Sequence, residues 1–282
     1  MITAGIDLST DPLKTWVAVI TWHDDHAALV DLTNLTARMK LTKEEALPSL
    51  IDVIENADKV GIDCPFGWPD LFVDYLNQHQ AAAFSTDPPG PITGPTDREP
   101  LALRHTDHFV HDNTRSIHAK EGLTPLAVAA DRIGRTAMHC ADIFTAYHQR
   151  TGKRVDRAGT GKIVEVYPAA SLARWEMNPK GYKGNKPKPL RALRALHDGL
   201  LRGMLGSDGE PRLMLGDFCD VVGSNDDAFD AVVAALTARA AALPDGTLLP
   251  ETVEQEAAAK TEGWIHLPAG PLPDLLGPAP SA

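Results

Sequence analysis

Cysteine is scarce in these 282 residues: Cys64, Cys140 and Cys219 lie far apart and form no C-x-x-C. Such spacing excludes a disulfide scaffold and a thiolate zinc site, and it fits a reduced, cytoplasmic chain. Nowhere does an apolar run approach the roughly 18 residues of a membrane span. The start, MITAGIDLST, lacks the basic and apolar regions of a signal peptide, so no membrane association is expected. Positive charge is also short. The formal net charge is −11, which taken alone disfavours a nucleic-acid partner. The distribution reverses that reading. Residues 150–194 hold twelve Lys/Arg against three Asp/Glu, a local +9 that leaves about −20 elsewhere. A phosphate-facing surface on an acidic protein has this asymmetry, and so does a solvated basic loop and helix. Lys180, Lys183 and Lys186 within it are the candidate substrate contacts.

What is present reads as an α/β protein. Strands are expected at Ile2–Ser9, Lys14–Trp22 and Ala27–Leu32. A helix follows, capped by Thr42 and carrying a stripe of Leu47, Leu50, Ile51 and Ile54, and then a strand at Val60–Cys64. The order is β-β-β-α-β. Further on, 70–83 reads as helix, and a long helix is expected from Pro125 to Gly152. Lys162–Tyr167 reads as a short strand, Pro189–Leu205 and Ser224–Leu243 as helices, and Gly263–Leu267 as a closing strand or edge segment. We expect one domain over 1–268 with a Pro/Gly-rich insertion around 85–120. The tail 269–282 is too Pro-rich to pack and is expected to be disordered.

Two apolar runs end on the same tripeptide, Gly-Ile-Asp, placing Asp7 and Asp63 at strand ends. Each aspartate alone would serve as a turn cap. As neighbours, two carboxylates about 4 Å apart repel by roughly 4 kcal/mol at an effective dielectric near 20, so they share a proton or a cation. Oxygen ligands without His or Cys point to Mg²⁺ or Mn²⁺. A third carboxylate source is NDDAFDAVVAAL. There Asp226 and Asp230 flank a stripe of Phe229, Val232, Val233, Leu236 and Ala240, with Asp227 about 60° further round. First-turn acids also favour the helix dipole, so capping and metal binding both account for them.

A β-β-β-α-β start with carboxylates ending the first and fourth strands resembles the opening of the ribonuclease H-like fold, a mixed central sheet flanked by helices. The ordered motifs GIDLS, VGIDCPFGWP, RHTD, EVYPA, DAFDA and EGWIHLP extend the likeness to Pro268. Together they resemble the bacterial and archaeal family designated domain of unknown function 429, a family read as ribonuclease H-like nucleases. DAFDA is also similar to the D-A-x-D-A of Holliday-junction resolvases, whose pattern has a glutamate where this chain has Asp63. The resemblance implies Asp7, Asp63, Asp227 and Asp230 as catalytic metal ligands, whereas the helical wheel favours Asp226 over Asp227. It implies a two-metal hydrolysis of nucleic-acid phosphodiesters. Arg104 would hold a phosphate with Asp107 orienting it, or the Arg–Asp pair would stabilise the Pro-rich loop. Glu165 would be a further ligand, or a strand glutamate paired with a base. Trp16 and Trp68 would stack on bases or fill the core.

Two rival readings exist. GIDLST resembles the first phosphate loop of actin-like ATP-binding phosphotransferases, which need two copies of the fold and a second glycine-rich turn. The other is a non-catalytic nucleic-acid-binding protein on a degenerate fold, in which the carboxylates would be dispensable. GTGK at 159–162 is no phosphate loop, because it precedes a strand and lacks the earlier glycine.

Overall fold

The computed structural model describes residues 1–11, 14–35, 42–84 and 99–277, the side chains of 43, 44 and 82–84 excepted. Strand β1 (Ile2–Asp7) pairs antiparallel with β2 (Trp16–Trp22), and β2 with β3 (Ala27–Asn34). Helix α1 (Lys43–Asn56) begins where the Thr42 N–H donates to the Glu45 carboxylate, a partner for one of the donors a helix start leaves open. Strand β4 (Lys59–Asp63) then returns parallel to β1. After α2 (Asp70–Phe84), α3 (Glu99–Ala102), α4 (His105–Asn113) and α5 (Gly134–Thr151) comes β5 (Ile163–Glu165). Next come α6 (Pro168–Arg174), α7 (Pro187–Gly203), β6 (Leu213–Met214), α8 (Cys219–Val222) and α9 (Asp226–Ala242). Last are β7 (Thr247–Leu248), α10 (Val253–Glu262) and β8 (Leu267–Pro268). The central sheet has six strands in the order β5-β4-β1-β2-β3-β6 and mixes parallel with antiparallel pairs.

Strand alternation divides the core in two. Ala4, Ile6, Val60 and Ile62 point to one face, under α1 and α5. Ala18 and Ile20 point to the other, under α6, α7 and α9. On that second face α9 lies flush against β1 and β4, because the strands present glycines. A Cβ on Gly5 would meet Ala231 O at 2.0 Å, and one on Gly61 would meet Ala234 O at 2.5 Å. Gly61→Ala pushes backbone against backbone and should lower stability by about 3 kcal/mol, the upper end of overpacking effects. Urea denaturation checks it, and an unchanged midpoint would mean that α9 is free to shift.

Helix α10 and the short elements α8, β6 and β7 were not expected, and four expectations change. The helix expected from Pro125 starts only at Gly134. Before it, the Asp131 carboxylate accepts the Ala127 N–H at 2.9 Å and diverts 127–131 into turns, while Gly152 closes the helix left-handed at φ 71° as its type suggests. Helix α9 is buried all round rather than along one stripe, since α6, α8 and the C-terminal segment cover its outer side. The expected tail packs through Gly277: Leu272 and Leu275 are buried, and the buried Arg239 donates to Leu275 O and Gly277 O. Of the expected insertion, 85–98 fall outside the described residues, and Glu99–Ala102 and His105–Asn113 form helices, with Phe109 and Val110 in a core shared with Trp264. Gly263–Leu267 does close the sheet edge, through a parallel bridge from Ile265 to Glu165. Among the described residues there is no second copy of the six-stranded sheet.

Candidate metal centre

The repeated tripeptide falls in register. Gly5 faces Gly61, Ile6 faces Ile62 and Asp7 faces Asp63 across the parallel β1–β4 pair. Alternation puts each Gly and its Asp on the same side of the sheet, so the glycines that admit α9 also bring that helix to the two carboxylates. Asp230, one turn into α9, completes a group whose ligand oxygens all lie within 4.8 Å of one another. Asp230 is 1% exposed. The helix start itself is capped by Asn225, whose side-chain oxygen accepts the Ala228 N–H at 2.9 Å.

A tight turn between Gly181 (φ 77°) and Gly184 (φ 108°) delivers two more groups. Tyr182 donates its hydroxyl to Asp230 Oδ1 at 2.8 Å, and the Lys183 ammonium pairs with Asp230 Oδ2. Asp226 anchors this turn by accepting the Gly184 N–H at 3.0 Å.

Burial dominates the electrostatics. It raises the Asp7 carboxyl well above the usual range, and Asp230 and Asp63 raise it further. Asp63 is pushed up to about 7 by burial and by Asp230, with Lys183 opposing. Burial raises Asp230 as well, although Lys183 and Tyr182 pull it down. Burial alone would lower Lys183, but Asp230, Asp7 and Asp63 outweigh it and hold the ammonium above the lysine range. The side chain of this lysine is half exposed, whereas the Asp230 carboxylate it pairs with is buried. Three ionised carboxylates against one ammonium leave a formal −2. An all-oxygen donor set of that charge, already holding one cation, fits Mg²⁺ or Mn²⁺.

The other expected site residues divide. Asp227 is half-buried on the first turn of α9, and its carboxyl is raised by burial and by Asp226. It adds to the field on Asp7 but lies outside the three-carboxylate group. Arg104 is not a free phosphate contact. It is 1% exposed, and its guanidinium is used up by Asp107, Glu165 and the Glu262 carbonyl. Asp107 and Glu165 are correspondingly buried partners of Arg104, and Glu165 also accepts the Phe66 N–H at 2.9 Å. Glu165 is therefore the base-paired strand glutamate and not a member of the carboxylate group. Lys180 lines a depression along α7 with Met177 and Ala192, and Lys186 is the exposed residue just before α7. Of the three lysines, Lys183 joins the carboxylates. Trp16 pairs with Asp7 across β1–β2 and is partly buried against the core.

Sequence reasoning missed Tyr182 and Tyr167. Tyr182 sits in G-Y-K-G, where paired glycines around two residues signal a turn that presents them. Tyr167 lines a cleft of about 380 Å³ beside Asp63, with its phenol pushed up to about 12 by burial and by Asp63. The cleft is walled largely by apolar groups, among them Leu8, Pro125, Leu126 and Ile133, and Lys183 and Arg132 also line it.

Over 186 residues the chain is 29% identical to "Probable SapB synthase" of Streptomyces coelicolor (strain ATCC BAA-471 / A3(2) / M145), covering 62% of this chain and 18% of that protein. This chain thus spans less than a fifth of the length of that curated relative. No solved structure matches it. The family model described as "Protein of unknown function (DUF429)" matches residues 5–255, and the chain belongs to that family.

Proposed function

We propose that the protein is a metal-dependent phosphodiesterase acting on nucleic acid, with its sheet a member of the ribonuclease H-like class. One observation carries the reading: Asp7 and Asp63, in register on adjacent parallel strands, meet Asp230 from a helix laid flush across them. Carboxylates so placed have no structural use for one another, because each raises the others' proton affinity. When bound there, Mg²⁺ or Mn²⁺ supplies Lewis-acid polarisation of a phosphoryl oxygen and charge to offset the carboxylates.

The chain's own groups have distinct tasks in this reading. Asp7 and Asp63 are held by the sheet and Asp230 by its Tyr182 hydrogen bond, so none reorganises when substrate arrives. Lys183, with a half-exposed side chain, is the cation that can pass from Asp230 to a substrate phosphate. The buried Arg104 network positions the strand and helix ends at the cleft wall, with its guanidinium already committed to Asp107, Glu165 and the Glu262 carbonyl.

The test is cleavage of labelled single-stranded, hybrid and branched oligonucleotides with millimolar Mg²⁺ or Mn²⁺. Wild type should cleave at least one class, and Asp7→Asn and Asp230→Asn should each lose about 100-fold or more. Full cleavage in EDTA or by the asparagine variants would defeat the proposal. Metal-independent binding with no cleavage would favour a non-catalytic binder. A companion prediction concerns Lys183. Lys183→Met should lower metal-free stability by about 1–2 kcal/mol, a modest value because the side chain is half exposed. It should also enlarge the rise in melting temperature on adding Mg²⁺, since the internal cation no longer competes. An unchanged metal response in thermal melts would show that Lys183 does not share the site.

A further inference from the structure

Two depressions meet at one side chain. Arg132 lines the cleft beside Asp63 and also a second groove of about 670 Å³ between α2 and residues 128–138. Trp68, Phe72, Leu76 and Met138 wall that groove, and Leu76 and Met138 are 43% and 60% exposed. Apolar surface of this kind left open to water marks a binding surface. Its charged lining is net positive, Arg132 and Arg135 against Asp131. Arg132 and Arg135 are exposed and carry no ion pair or side-chain hydrogen bond among the described residues, whereas Asp131 is occupied by the Ala127 N–H.

We propose that cleft and groove form one track for an unpaired nucleic-acid strand, with the scissile nucleotide in the cleft and its flanking bases on Trp68 and Phe72. This rests on the nuclease reading above and adds the substrate's form. Three observations select a single strand. The cleft, about 380 Å³, is near the lower end of small-ligand sites, room for one nucleotide and not for a base pair. Its walls are mainly apolar, which suits the faces of an unstacked base, while a duplex backbone needs a row of cations. Finally, the groove shares Arg132 with the cleft and offers aromatic faces together with guanidinium groups, the combination that binds strands irrespective of sequence. A free mononucleotide would leave the groove unused.

The experiment measures fluorescence anisotropy of a labelled twelve-nucleotide dT strand and of a duplex of equal length, in EDTA, with wild type, Phe72→Ala and Arg132→Ala/Arg135→Ala. Thermal melts establish that each variant is folded. The strand should bind more tightly than the duplex and quench Trp68 fluorescence. Phe72→Ala should weaken it roughly 5- to 150-fold, the value of one base–aromatic stack. Loss of both arginines should reduce the slope of log affinity on log salt by about 1.4. The track is overturned if duplex and strand bind equally and the variants are indifferent, or if thymidine monophosphate displaces the strand at the strand's own concentration. In either case Asp63-dependent cleavage by the same preparations keeps the nuclease reading. Absence of both binding and Asp63-dependent cleavage overturns the two together.

Discussion

Asp63→Asn is expected to melt above wild type at pH 8 without metal, and to lose most of the rise that divalent metal gives wild type. The sign follows from where the carboxyl titrates. In the folded protein burial and Asp230 push Asp63 up to about 7, against an ordinary value of 3.8. Between pH 4 and 7 the folded state therefore holds a proton that the unfolded state has released. Stability falls as pH rises through that window, and the full penalty of on the order of 4 kcal/mol is present at pH 8. Asparagine removes it, so the metal-free variant should gain roughly 5–10 °C, and its stability should vary less between pH 4 and 7. Wild type in metal at about 100 times its Kd should gain about 2.7 kcal/mol by linkage, and the variant well under half of that. Thermal melts of both proteins across pH, with and without Mg²⁺, read all of these effects. A destabilised variant with an unaltered metal response would make Asp63 a turn cap and remove the basis of the proposed metal centre.

The second large effect is expected at Arg104, in stability rather than in substrate affinity. Its guanidinium donates to Asp107 Oδ1 at 3.0 Å, to Glu165 Oε1 at 2.7 Å and Oε2 at 3.0 Å, and to the Glu262 carbonyl at 3.0 Å. Arg104→Met leaves two carboxylates buried beside each other without a cation. Breaking a buried ionic network from one side costs about 3–5 kcal/mol. Arg104→Lys keeps the charge but not the planar fork, so it should recover only part of that loss. Glu165→Gln should be milder than Arg104→Met, because it leaves Asp107 to neutralise the arginine. Urea denaturation of the three variants orders them. Were Arg104 a phosphate contact instead, Arg104→Met would fold with wild-type stability and simply bind nucleic acid less well.

Much of this was legible in the residues. The β-β-β-α-β order, the strand ends at Asp7 and Asp63 and the helix over 226–242 follow from local periodicity and capping, which act over a few residues. The Arg104–Asp107 pair was visible as one of two readings, since i,i+3 partners on a helix start are neighbours in any fold. Other features were not legible, and particular residues show why. Asp226, Asp227 and Asp230 crowd one helix start, and nothing in their spacing says that Asp226 would hold the Gly184 N–H while Asp230 turned to the sheet. Glu165 looked like a possible ligand because its partner lies 61 residues earlier in the chain. The Pro-rich tail looked unable to pack because its partner, the buried Arg239, is 36 residues from Leu275.

By itself the sequence determined the β-β-β-α-β start, the helix over 226–242, the carboxylates these elements carry and the chemistry three such groups permit: a hard cation held by oxygen. Only the tertiary structure decided which carboxylates meet, which cation already stands among them and which arginine is sealed inside. The physical reason is range. Strand alternation, helix caps and glycine turns are set by bonds between near neighbours. The three-carboxylate group is set by the close approach of α9 to β1 and β4, which two glycines allow and no local pattern announces.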